Sequence, residues 1–401
     1  MRIGWISSCT ATILLSGLLS GCASHQQNKQ AAHQRFEQTS AQGKFPLARQ
    51  FFENGKTDEA LTILTDCLRQ DPDNPQVHLL MGEVQLSLGR NEVARTHFLK
   101  AVELQDQLHA AWAWLGVISL EAKQPREALE YQTKALERDP LNVDYSLSLA
   151  ETHATLNDFD AADTLLSEKC RLLPSDVRLM TATANMKNHR GDRTGAINLY
   201  RQILVLKPDN TEVKEALAYC YIAAQDWSAA LDLFDQVVST YDGPRKKAGL
   251  EMMAMCAMNS GQYGRAVKYY DRLSVDNRND PQLWLNMGQA ALGTNDPKRA
   301  AGCARRALDL RPAWDKAMAL QGCAQYMDND YSAALSTFRG ITSSKELGGF
   351  AWLMIGRCFQ QTGDMNQAEM AMKTAASLNP DSKLVALLAD SGKKKPTTEN
   401  P

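Results

Sequence analysis

One residue type returns on a fixed beat along this chain. Alanine stands at Ala60, Ala94, Ala128, Ala162, Ala196 and Ala230, then at Ala266, Ala300, Ala334 and Ala368. Every step is 34 residues except the one from Ala230 to Ala266, which is 36. A fixed period of this length builds a chain from one supersecondary unit stacked on its neighbours rather than around a single core. Function is therefore sought on a surface.

Counting each unit so that this alanine is residue twenty brings out three further positions. The eighth is small throughout: Ala48, Gly82, Gly116, Ala150, Ala184, Ala218, Ala254, Gly288, Gly322 and Gly356. The twenty-fourth is mostly large and apolar, as at Phe98, Tyr200, Phe234 and Phe338, with Gln132 and Ala304 as departures. The thirty-second is proline in six units, from Pro72 to Pro380. This pattern resembles the tetratricopeptide repeat family over residues 41–382. The resemblance implies an all-α fold, a right-handed α-solenoid superhelix of about ten helix-turn-helix repeats, and binding of proteins as the work it does.

The residues support the helix pair independently. In repeat three, His109 to Asn142, two apolar stripes at helical spacing flank the break Ala122-Lys123-Gln124-Pro125-Arg126-Glu127. Gly116 and Ala128 are small where the two helices approach, and Pro140 stops the second helix. Repeats one to six are expected over 41–244 and repeats seven to ten over 247–382. The two extra residues fall in Asp242-Gly243-Pro244-Arg245-Lys246, a turn-rich stretch read as a hinge or as a longer surface loop. Repeat nine lacks its proline, and Gly340-Ile341-Thr342-Ser343-Ser344 predicts an early end to its second helix. A capping helix is expected over 383–391 and a disordered tail over 392–401.

The N-terminus carries a second signal. Arg2 precedes an apolar run from Ile3 to Leu19, too short and too rich in Ser, Thr and Gly for a membrane span. Residues 1–21 read as a signal peptide. The run ends in Leu19-Ser20-Gly21-Cys22, which resembles the lipobox of bacterial lipoproteins. That resemblance implies cleavage before Cys22 and lipid on its thiol, with Ala23 matching the outer-membrane sorting pattern on the periplasmic side. Ordinary cleavage near Ala23-Ser24, giving a soluble protein, is the alternative. Residues 22–40 are polar and are expected to tether the lipid to the first repeat.

A formal net charge of −2 over 401 residues, with no basic stripe, argues against nucleic acid as a partner. Of nine cysteines, Cys9 lies in the leader and Cys22 takes the lipid. Cys220, Cys256 and Cys358 share repeat position ten, where equivalent residues of adjacent repeats stand farther apart than a disulfide spans. Core thiols are expected, and Cys303 with Cys323 is the pair to test for a bond. No CxxC, HExxH, Walker or G-x-S-x-G motif appears, so no metal, cofactor or catalytic residue is expected.

In the family that the chain resembles, first helices line a concave groove through repeat positions two, five, nine, twelve and thirteen. Carried onto this sequence, these positions predict a partner-binding surface of Leu79, Glu83 and Leu86 in repeat two, and Val117 and Leu120 in repeat three. Repeat five adds Asn185, Asn188 and His189, a polar set read as a ligand site or a solvated face. Further along come Glu215, Tyr219, Ile222, Met255, Met258, Leu285, Gln289, Tyr326 and Arg357. Met, Tyr and Leu at positions that should meet solvent point to a peptide or amphipathic helix of a protein partner. The resemblance extends to repeat lipoproteins that assist pilus and secretion assembly. An adaptor for cell-wall hydrolases or proteases and a polysaccharide export module are the other classes.

Overall fold

The computed structural model describes the backbone of residues 9–378 and side chains from residue 28 onward. The described residues form helices and no strand. They fall into two compact units, one ending at Asp192 and the other beginning at Arg193. Unit one holds α1 (Cys9–Glu53), α2 (Thr57–Gln70), α3 (Pro75–Ser87), α4 (Asn91–Leu104), α5 (His109–Glu121), α6 (Pro125–Arg138), α7 (Val143–Thr155), α8 (Phe159–Leu172) and α9 (Val177–His189). Unit two holds α10 (Arg193–Leu206), α11 (Thr211–Ala223), α12 (Trp227–Val237), α13 (Gly243–Asn259), α14 (Tyr263–Ser274), α15 (Pro281–Gly293), α16 (Pro297–Leu310), α17 (Asp315–Met327), α18 (Tyr331–Arg339), α19 (Gly348–Thr362) and α20 (Met365–Leu378). Within each unit, consecutive helices pack on one another as stacked pairs.

The alanine ladder is the spine of this packing. All ten alanines are buried. Position eight faces position twenty-four across the pair: a Cβ on Gly82 would lie 2.5 Å from the Phe98 ring, one on Gly322 2.6 Å from Phe338, and one on Gly116 2.6 Å from Gln132. Glycine is needed here because the opposing side chain has claimed the space that a methyl group would occupy.

A second ladder closes the helices. Residue fifteen of every repeat adopts a positive φ: Gly55, Gly89, Lys123, Asn157, Gly191, Gln225, Gly261, Asn295, Asn329 and Gly363. At Asn157, for example, the N–H donates to Ala154 O at 2.9 Å while the Asp158 N–H reaches His153 O at 2.9 Å. A left-handed residue after a helix turns the chain so that these otherwise orphaned carbonyls are met. Position sixteen then caps the second helix in several repeats: Asp226 Oδ1 accepts from Ala229 N at 3.2 Å and Asp330 Oδ1 from Ala333 N at 3.0 Å. Asn74, Asn142, Asp176, Asn210 and Asp280 cap the first helices in the same way.

One expectation from the sequence is corrected. Gly243 to Lys246 is no irregular stretch but the first turn of α13, which runs for 17 residues. The two added residues lengthen that helix, and a 3₁₀ turn at Val238–Thr240 with buried Val238 and Tyr241 packs beneath it. Each of these side chains would lie 3.2 Å from a Cβ on Gly249, so the insertion is built into the core. The boundary between the two compact units falls inside repeat five, between α9 and α10. The polar segment 22–40 is helical and continues α1. From Ala23 to Gln42 it contains neither Gly nor Pro, and a segment too polar to build a core can still be helical.

α18 ends at Arg339 after nine residues, as the segment Gly340-Ile341-Thr342-Ser343-Ser344 predicted. The described thiols are all free, including Cys303 and Cys323. The capping helix at 383–391 and the tail at 392–401 lie outside the described residues, as does the Cys22 side chain.

Candidate functional site

Groove position five decides where the surface opens. In repeats two and eight it is leucine, and both side chains turn inward. Leu79, 7 % exposed, packs with Ala94, Phe98 and Ala111, and Leu285, 2 % exposed, packs with Ala304, Trp314 and Ala317. These two predicted groove residues are thus core residues, because position five faces the next repeat's first helix and a long apolar side chain fills that gap. In repeats three and nine the same position is Ala113 and Ala319. The gap is left open, and a cleft forms at each.

The first cleft lies between α5, α6 and α7 and encloses about 290 Å³. Ala110, Ala113, Trp114 and Val117 supply one wall, Tyr145 and Ser148 the other, with Gln132 below. Gln132 occupies the position of the large apolar residue of other repeats and is 2 % exposed. Its Nε2 donates to Ser148 Oγ at 2.8 Å and its Oε1 accepts from Thr152 at 2.6 Å, so it meets the demand for partners that burial imposes. Trp114, 36 % exposed, stacks on Phe98 with ring centroids 6.3 Å apart and donates from Nε1 to Glu83 Oε1 at 3.2 Å. Burial pushes the Glu83 carboxyl above its ordinary range, against the lowering pull of the Trp114 hydrogen bond and the Arg49 charge. Across the cleft, Tyr145 is held by His109 Nδ1 at 2.8 Å, and Asp144 accepts from Arg178 at 2.6 Å.

The structure therefore joins two predicted residues, Glu83 and Val117, and the groove-position residues Ala110, Ala113 and Asp144 to walls that the groove positions did not include, Trp114, Gln132, Tyr145 and Ser148. Leu86 and Leu120 lie half-buried in the same unit. Asn185, Asn188 and His189 are exposed on the last turns of α9, with the His189 ring 4.4 Å from that of Phe159. The signal for the missed residues was present in the sequence: a polar Gln132 where apolar residues recur, beside alanines at two groove positions.

In unit two the second cleft, about 390 Å³, is lined by Gln289, Leu292, Lys316, Ala319, Cys323 and Phe350, among others. Tyr219 is 46 % exposed and meets Phe234 edge-on at 5.5 Å. Glu215 pairs with Arg245, which lies 4.3 Å over the Tyr241 ring. Ile222, Met255, Met258 and Arg357 are half-buried, and Tyr326 packs against Tyr331 at 5.4 Å. Among the described residues no group of three or more His, Cys, Asp or Glu side chains is placed to hold a metal.

The family description "Tetratricopeptide repeat" matches residues 32–287, more than half of the chain. The chain belongs to the tetratricopeptide repeat family. A second description, the middle TPR-like domain of cilia and flagella-associated protein 70, matches residues 250–379. Among relatives, the tetratricopeptide chain is similar to BBSome complex member BBS4 of Bos taurus, 22 % identical with 65 % of this chain and 50 % of that protein covered. It is also similar to tetratricopeptide repeat protein 21A of Mus musculus, 23 % identical with 62 % and 20 % covered. The chain thus spans between a fifth and a half of the length of these two relatives. Among solved structures, the C-terminal part of a TPR repeat-containing protein from Cytophaga hutchinsonii is similar at 15 % identity and a TM-score of 0.44, with 68 % of this chain and 98 % of that one covered.

Proposed function

We propose that this chain is a non-enzymatic scaffold that holds a peptide or amphipathic helix of a protein partner, and that the cleft between α5, α6 and α7 is where the partner is gripped. One observation carries the reading: Ala113 leaves open, between an exposed indole and a tyrosine, a gap that leucine closes in repeats two and eight. Apolar anchors seated in such pockets supply most of the energy of peptide recognition. The names of the relatives agree with a scaffold, since they include a BBSome complex member and anaphase-promoting complex subunit 3.

The scaffold is anchored to the bacterial outer membrane through lipid on Cys22, faces the periplasm, and assists assembly of an envelope complex such as a pilus or secretion machine. This part rests on Leu19-Ser20-Gly21-Cys22. Among the described residues no helix is long and apolar enough to cross a membrane. Several acyl chains on one residue hold a protein to a bilayer where a single chain binds only marginally.

A photoreactive side chain at Val117 is expected to crosslink a defined protein in cells, while the same group at exposed Glu130 on α6 is not. Equal or absent crosslinking at Val117 would overturn the docking site. Fatty-acid labelling lost in Cys22→Ala tests the anchor, and label retained there refutes it.

A further inference from the structure

The cleft in unit one has a charge pattern that selects its occupant. Repeats two to four contribute fifteen groove positions, five from each of three repeats, and these hold Glu83, Glu121, Asp144 and Glu151 but no Lys, Arg or His. Glu83 bonds to Trp114 on the cleft wall, and Asp144 lines the cleft itself. Glu121 stands one helical turn beyond Val117 on α5, and Glu151 one turn beyond Ser148 on α7. Two cations lie nearby: Arg178 pairs with Asp144, and the Arg49 charge acts on Glu83. Glu121 accepts only from the neutral Asn91, and both it and Glu151 are exposed. The cleft in unit two differs, with Lys316 on its wall.

The size of the cleft sets the other requirement. At about 290 Å³ it lies just under the roughly 300–1,000 Å³ typical of small-molecule sites, and it offers few polar groups to orient a ligand. It has room for an anchor side chain. Building on the scaffold reading, we propose that the occupant is a partner segment bearing one large apolar residue, flanked within a turn or two by Lys or Arg. The anchor enters between Trp114 and Tyr145, and the flanking cations meet Glu83, Glu121 and Glu151. The carboxylates set preference and encounter rate while the anchor supplies affinity.

The test uses the purified mature chain and labelled sixteen-residue peptides followed by fluorescence anisotropy. One peptide carries a central Phe with Lys flanks, a second the same Phe with Glu flanks, and a third Lys flanks around a central Ala. The first is expected to bind about tenfold more tightly than either other, with the margin over the Glu-flanked peptide shrinking at high salt. Glu121→Lys with Glu151→Lys, both at exposed sites, reverses the flank preference, and Ala113→Trp removes the preference for Phe over Ala. Equal binding of Lys-flanked and Glu-flanked peptides, or a preference that survives the double reversal, overturns the proposal. Val117 crosslinks that land on an acidic or neutral segment sink the charge claim and leave the scaffold standing. If Val117 captures nothing, the docking site is overturned and the charge proposal falls with it.

Discussion

Gly82 and Phe98 occupy one space between them: a Cβ on the glycine would stand 2.5 Å from Cε1 of a ring that is wholly buried. The ring has no room to retreat, so Gly82→Ala is expected to cost about 1–3 kcal/mol in urea unfolding. Gly302 in α16 is exposed with nothing within 4 Å of its added carbon. Gly302→Ala should therefore stabilise, by about 0.5–1 kcal/mol. Two losses of similar size would mean that close approach is not what holds Gly82 in place.

Lys123 and Gln225 stand at the left-handed position that glycine holds in five other repeats, with φ of 59° and 61°. A side chain there costs about 1–2 kcal/mol relative to an ordinary conformation. Lys123→Gly and Gln225→Gly should each stabilise their unit by about 1 kcal/mol, read as a raised urea midpoint. The counterpart Gly55→Ala should lower it.

Glu83 is the place where stability and binding oppose each other. Its carboxyl is raised above the ordinary 4.5 by burial, so the folded chain holds this proton more firmly than the unfolded chain does. Stability is therefore lost as pH rises from about 4.5 through the raised value. Glu83→Gln keeps an acceptor for Trp114 and should raise stability at pH 7, with the gain vanishing in acid. The same substitution should weaken the Lys-flanked peptide. Melting curves at pH 4 and pH 7 beside anisotropy separate the two effects.

His97 titrates in the opposite sense. Burial and then the neighbouring His78 lower it below 6.5, and the two Nδ1 atoms stand 3.1 Å apart. The unfolded chain binds the proton more readily, so stability is complete above about pH 6.5 and falls as pH drops through the lowered value. His97→Gln should flatten this acid limb below about pH 6.5 in a denaturation series.

Burial pushes the thiols of Cys256, Cys303, Cys323 and Cys358 up to about 11. The thiolate is the reactive form, so at pH 8 the native chain should react slowly with a disulfide reagent and quickly once unfolded. Rapid labelling of the folded chain would place these side chains outside the core.

The alanine ladder carried a great deal: several first helices start at position one of their repeats, and the small-against-large contact of positions eight and twenty-four follows from it. The groove was legible only in part. Family positions name a helix face, but whether a residue on that face meets solvent depends on its length and on the repeat after it. Leu79 and Leu285 therefore turned inward while Ala113 opened a cleft. Trp114 and Tyr145 were missed because each lies one step off those positions, Tyr145 coming from the next repeat, and Gln132 because it lies on the second helix, which the groove positions leave out. The left-handed ladder at residue fifteen escaped notice because Asn, Lys and Gln share it with glycine, and no single residue type marks it.

That ladder bears on how such a chain changes length. Each turn satisfies its own carbonyls from its own next residues, so the joint between helices asks nothing of the rest of the molecule. Removing or duplicating a stretch of 34 residues in phase rejoins a complete cap to a complete helix and leaves no backbone group stranded. The number of repeats is thus free to vary at little local cost.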